Sequence, residues 1–183
     1  GLEIINQTKN SVTIKEVSKP NPDEFNQVLR RCFLFLNSNA KETLEAIQKN
    51  DQDQLKNIIL RDSSVNKYAD FCRRLLNIKG LEDQKSTSTT YHIVEQLEKI
   101  GDSYKNICKL VLSNKTKLNP STVKLFNDIN LSLETFYNLF YDFNLDNFEK
   151  FITKIDTLKK ETFRYKNNIE IVFHLDNILS MLF

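Results

Sequence analysis

Between Asp23 and Asn114 the chain has no proline and only two glycines, Gly80 and Gly101, while its apolar residues return every three or four positions. Such a stretch is built for long helices, because an interior glycine costs a helix about 1 kcal/mol and a proline about 3 kcal/mol, and a stripe at that period gives each helix one face to bury. Phe25, Val28, Leu29, Cys32, Phe33, Leu36, Ala40, Leu44 and Ile47 form the first stripe and predict a helix from Asp23 to Gln48. Asn50-Asp51 interrupts it. A second helix is expected from Gln52 to Ile78, stopped by Lys79-Gly80, and a third from the capping run Ser86 to Thr90 as far as Asn114. Leu118-Asn119-Pro120-Ser121 is the clearest internal boundary, with Asn119 or Ser121 capping a fourth helix to Asp142. A fifth follows Asn144, and a sixth covers Asn167 to Phe183.

Six helices divide into three plus three. Shifting the sequence by 93 places Phe33 on Phe126, Leu36 on Ile129, Leu44 on Tyr137 and Ile59 on Ile152, and a shift of 74 places Asp102 on Asp176. A duplicated three-helix unit follows from these matches. Ahead of the helices, Leu2-Glu3-Ile4-Ile5 and Val12-Thr13-Ile14-Lys15 flank the turn formers Asn6 to Ser11, so a small β-hairpin is expected, then a linker at Lys19-Pro20-Asn21-Pro22. The fold class is therefore all-α, two tandem three-helix bundles with a short N-terminal hairpin, divided as 1–22, 23–118 and 119–183.

Charge and cysteine content exclude several functions. A net charge of +2 with both signs interspersed provides no field for nucleic acid, so direct nucleic-acid binding by this chain is not expected. Cys32, Cys72 and Cys108 are isolated and odd in number, the pattern of reduced thiols packed as small hydrophobes in a cytosol. No apolar run reaches the roughly 18 residues of a membrane span, and no signal segment opens the chain, so a soluble cytoplasmic protein is expected. Gly1 in place of Met suggests a portion of something longer. No glycine-rich phosphate loop, nucleophile elbow or Cys/His cluster is present, and neither His92 nor His174 completes the Glu-x-x-His pair of carboxylate-bridged metal enzymes, so no enzyme is expected.

The chemistry concentrates on the third helix and its neighbour. At 100° per residue, Leu97, Ile100, Tyr104, Ile107, Cys108 and Val111 share one face, and Glu95, Glu98 and Asp102 lie within about 60° beside it. On the second helix Asp62 and Asn66 sit inside the apolar stripe of Leu55, Ile58, Val65, Ala69 and Cys72. Docking the stripes brings Asp62, Asn66, Glu98 and Asp102 together, and an unpaired carboxylate there would cost several kcal/mol. Either a divalent cation compensates them, or a basic side chain among Lys67, Arg73, Lys99 and Lys105 does so.

Leu97-Glu98-Lys99-Ile100-Gly101-Asp102, with Asn106-Ile107, resembles the repeat motif of the PhoU family of phosphate-uptake regulators, in which leucine, glutamate, a basic residue, isoleucine, glycine and aspartate recur in order. The resemblance spans nearly the whole chain as two three-helix repeats. The segment from Gly1 through Asp23-Glu24-Phe25 is similar to archaeal members in which PhoU repeats follow an AbrB-like DNA-binding domain. The resemblance implies a cytoplasmic, noncatalytic regulator of phosphate uptake, phosphate-responsive signalling or transcription, homodimeric, with a phosphate transporter or signalling protein as partner. Some members bind multinuclear metal through E/D-x-x-x-D motifs, which implies ligands at Glu98 and Asp102, with Asp62 and Asn66 facing them, for iron, zinc, manganese or magnesium. Asn66 departs from the pattern, where a second carboxylate is expected. In the second repeat Ile155 stands in the place of Asp62 and Val172 in that of Glu98, leaving only Asp176. The alternative is a generic helical interaction scaffold with no phosphate or metal role. The phenylalanines of the second half, Phe126, Phe136, Phe140, Phe143, Phe148, Phe151, Phe163 and Phe173, exceed what a three-helix core absorbs and point to self-association.

Overall fold

A computed structural model describes residues 2–7, 12–16, 22–81 and 83–182, with side chains from 24 onward within those ranges. Among them are a two-stranded antiparallel hairpin, β1 Leu2–Gln7 and β2 Val12–Glu16, and six helices: α1 Pro22–Lys49, α2 Gln52–Lys79, α3 Gln84–Asn114, α4 Pro120–Tyr141, α5 Leu145–Thr162 and α6 Ile169–Met181. Ile4 pairs with Ile14, and the ladder continues past a register shift to Asn6 on Thr13 and Gln7 on Val12, so Asn6 and Gln7 belong to the strand rather than the turn. The linker residues Lys19, Pro20 and Asn21, turn residues 8–11 and the terminal Phe183 lie outside the described residues.

Side-chain caps set most helix starts. Asp51 accepts from the Gln54 amide at 3.0 Å and opens α2, which ends where Gly80 takes φ +66°, a left-handed turn only glycine adopts without strain. Asn119, not Ser121, caps α4, accepting from the Thr122 amide at 2.8 Å with Pro120 in the first turn. Several boundaries differ from the sequence reading. Pro22 begins α1 instead of closing the linker, because a first-turn proline lacks only an N–H that would have had no helical partner. Asp83 caps α3 ahead of the Ser/Thr run, accepting from the Lys85 amide at 3.1 Å, and this leaves Thr87 free to accept from the Leu81 amide at 3.0 Å. The sixth helix is shorter than expected, and Asn168 at its start bonds sideways to Thr122 and to the Lys117 carbonyl.

Helices α1, α2 and α3 pack on one another, as do α4, α5 and α6, and the two groups meet where α3 lies on α6 and α1 on α4. The core runs continuously through both groups, from Leu29, Phe33 and Leu36 through Val65, Leu97 and Ile107 to Phe126, Ile129, Ile155 and Leu175. Two buried sets of contacts stand out among those that join α1 to the second group. Phe33 is fully buried against Phe136, Tyr137, Phe140 and Tyr141, with ring centroids 5.2–6.0 Å away. Further along α1, Asn130 donates to the Ala40 carbonyl at 2.9 Å and accepts from the Tyr104 hydroxyl at 2.8 Å, so one amide ties α1, α3 and α4.

On the outer side of α1 and α2, Glu42 accepts from Arg61 and from Gln54 Nε2, the latter at 2.6 Å. The Arg61 hydrogen bond outweighs burial and, with Ser38 and Gln54, holds the Glu42 carboxyl below the usual carboxylate range. Its unfolded value is about 4.3, so the stability it contributes is present above about pH 4.3 and is lost as pH falls through the lower folded value. Urea melts stepped down through that window should show Glu42→Gln losing less stability on acidification than the parent chain.

Candidate functional site

The seam between α2 and α3 is where the predicted site residues lie. Asp62 is buried, 6% exposed, and Asn66 is half-buried one turn on, as their places in the apolar stripe require. Glu98 and Asp102 border the stripe of α3 and are half-buried too. Basic residues meet these acids in two groups. Lys105 donates to Asp62 Oδ2 at 2.7 Å and to Asp102 Oδ1, bridging the two helices. Arg73 of α2 meets Glu98, reaches Glu95 at 3.0 Å, and bonds Asp70 on its own helix at 2.6 Å. Lys67 and Lys99, the other two candidates, are exposed.

Both cations are held in their charged forms. Burial works against the Lys105 ammonium, yet the hydrogen bonds it donates to Asp102 and Asp62 raise its pKa above the ordinary lysine value. For Arg73, burial is likewise outweighed, by Asp70, Glu95 and Glu98. Two buried acceptors in the seam have no partner, Asp62 Oδ1 and Asn66 Oδ1. Burial pushes the thiols of Cys32, Cys72 and Cys108 up to about 12, so none is a ready thiolate. His92 is exposed beside Gln96 and His174 stacks edge-on against Phe173 at 5.5 Å, so neither joins the acids.

Gly101 explains how the helices come so close. A Cβ there would stand 3.2 Å from Val65 Cγ1, closer than side chains normally pack, and 3.4 Å from both Asp62 Oδ1 and Leu36 Cδ2, at the near edge of ordinary contact. The glycine of the Leu97–Asp102 motif is thus a contact position for α1 and α2. Alanine gains about 1 kcal/mol of helix propensity but overpacks against the fully buried Val65, a cost of about 1–3 kcal/mol. Gly101→Ala should therefore lower stability by about 1 kcal/mol in a denaturant melt, and Gly101→Val by more; a stabilised alanine variant would mean the seam has slack.

In the second half the corresponding positions are apolar. Ile155 and Val172 are buried, and Asp176, the remaining acid, accepts from Thr162 Oγ1 at 2.7 Å. The acidic seam belongs to the first three helices alone. Among the described residues no three His, Cys, Asp or Glu side chains converge as a metal-holding group.

Residues 29–111 match the PhoU domain model. The match begins in α1, ends in α3, and includes Asp62, Asn66, Glu98, Gly101 and Asp102. The crystal structure of the phosphate transport system regulatory protein PhoU from Streptococcus pneumoniae is similar over 87% of this chain and 88% of its own, with a TM-score of 0.69 and 16% identity. At that identity the likeness is one of fold: a PhoU-like array of six helices extending past the PhoU domain match into α4–α6. No curated protein matches the chain.

Sequence reasoning missed Asn130. It lies between Ile129 and Leu133 on the apolar side of α4, so a polar residue inside that stripe was the signal, the same one that exposed Asp62. The aromatic surplus of the second half is partly absorbed: Phe126 and Phe151 are buried, Phe136 and Phe140 pack on Phe33, whereas Phe143, Phe148, Phe163 and Phe173 stay exposed.

Proposed function

We propose that this chain is a noncatalytic regulator of phosphate uptake that acts by binding a phosphate transporter or its signalling partner at the cytoplasmic side of the membrane. The observation that carries the reading is the PhoU domain match over 29–111, which takes in every residue of the acidic seam. The likeness in fold to a phosphate transport regulatory protein supports extending it across both three-helix repeats, 23–118 and 119–183. A role through contact rather than turnover is supported by the seam itself, whose carboxylates are engaged by Arg73 and Lys105 and hold helices together. Among the described residues no helix is long and apolar enough to cross a membrane, so an association with a transporter would be peripheral.

Two finer elements belong to the same reading. Self-association into a homodimer is supported by the exposed Phe143, Phe148, Phe163 and Phe173, and sedimentation at high micromolar concentration should show a dimer; a strict monomer would contradict it. Transcriptional control, the second, would be exerted through an AbrB-like DNA-binding segment. The regulatory reading is tested in the source cell: deleting the coding sequence should change uptake of labelled phosphate in phosphate-replete medium, and expression of the protein should restore it. Uptake indifferent to the deletion would favour a generic helical scaffold.

A further inference from the structure

We propose that the Lys105 ammonium is the resident cation of the α2–α3 seam, standing where a divalent metal would otherwise be held, so that this chain keeps its acidic motif without a metal. Asp62 and Asp102 approach from different helices, and Lys105, less than one turn beyond Asp102, reaches back to bond both. The next carboxylates along the seam, Glu98 and Glu95, are taken by Arg73. Every acid that could have ligated an ion there already faces a positive group fixed to the chain.

The remaining donor set does not fit a divalent metal. Such ions need several oxygens at about 2.0–2.6 Å, most of them anionic. Each of the other seam carboxylates already faces Lys105 or Arg73, and the buried oxygens left without a partner are Asp62 Oδ1 and the neutral amide oxygen of Asn66. An ion drawn to them would also sit beside the ammonium that already neutralises Asp62 Oδ2. Unlike a bound ion, an ammonium on a side chain is present at fixed local concentration and cannot be removed by a chelator. The inference is independent of the regulatory reading, since a lysine-held seam is compatible with any partner.

The full chain, melted after EDTA treatment and again with excess MnCl₂ or ZnCl₂, tests it. A divalent site filled a hundredfold above its Kd would stabilise the fold by about 2.7 kcal/mol, a rise of roughly 5–10 °C for a chain of this size. The wild type should show no such rise. Lys105→Met should melt lower and gain a saturable response to Mn²⁺, because its acids are now uncompensated. Should that variant fail to fold, the double variant Lys105→Met/Asp62→Asn must fold and melt higher than the single one, since the buried charge is gone. Wild-type stabilisation by one metal ion per chain, abolished by Asp62→Asn, would overturn the proposal. So would a Lys105→Met chain that folds without a metal response, or a double variant no more stable than the single.

Discussion

Phe33→Ala is expected to lower the unfolding free energy by about 3–5 kcal/mol, at the upper end of what truncating a buried side chain costs. Phe33 is wholly buried, and its ring touches four aromatic rings of α4 at 5.2–6.0 Å. Truncation would remove the ring's own transfer free energy and leave a cavity that Phe136, Tyr137, Phe140 and Tyr141, which come from a single helix, cannot all close. The contact joins α1 to the second three-helix group, so the loss should also reduce cooperativity. Melts followed by far-UV dichroism and by tyrosine fluorescence should coincide in the wild type and separate in the variant. A loss below about 1 kcal/mol would mean that the aromatic cluster is not what holds α4 on α1.

Asn130→Ala should cost about 3 kcal/mol, for a different reason. It removes two buried hydrogen bonds, from Tyr104 and to the Ala40 carbonyl, and leaves the Tyr104 hydroxyl without a partner in an apolar setting. Burial raises the Tyr104 pKa far above the ordinary tyrosine value, so the hydroxyl keeps the proton it donates to Asn130. Tyr104→Phe should cost about 1–3 kcal/mol, because it strands Asn130 Oδ1 instead. The two losses are not independent. In a double-mutant cycle the pair should be less damaging than the sum by about 1–2 kcal/mol; additive losses would mean that the hydroxyl and the amide do not act as one unit.

Helices were legible because breakers are scarce and apolar residues recur at helical period, signals that are local and survive any tertiary arrangement. Asp62 was legible for the same reason: a carboxylate inside the Leu55–Cys72 stripe has to be buried whatever covers it. Which cation met it was not. Lys67, Arg73, Lys99 and Lys105 all lie within reach along the sequence, and only the antiparallel register of α2 on α3 brings Arg73 to Glu98 and Lys105 to Asp62. Gly101 could be read as part of a motif, whereas its use, clearance for Val65 and Leu36, depends on the distance between helices. Asn130 pairs with residues 26 and 90 positions away, so no pattern within α4 names its partners. The hairpin of Leu2–Gln7 and Val12–Glu16 was readable from two short runs flanking turn formers, though its ladder ran two residues further than the turn chemistry suggested.

The proposed regulation of phosphate transport by direct contact can be read in the flux through the purified transporter. The phosphate transporter of the source cell is reconstituted in vesicles with its cytoplasmic face outward, and labelled phosphate transport is followed as the purified chain is added. Saturable binding to the vesicles and a matching fall in flux are expected, neither of which an unrelated helical protein of similar charge should produce. Unchanged flux at concentrations that saturate the vesicle surface, or no binding at all, would contradict it.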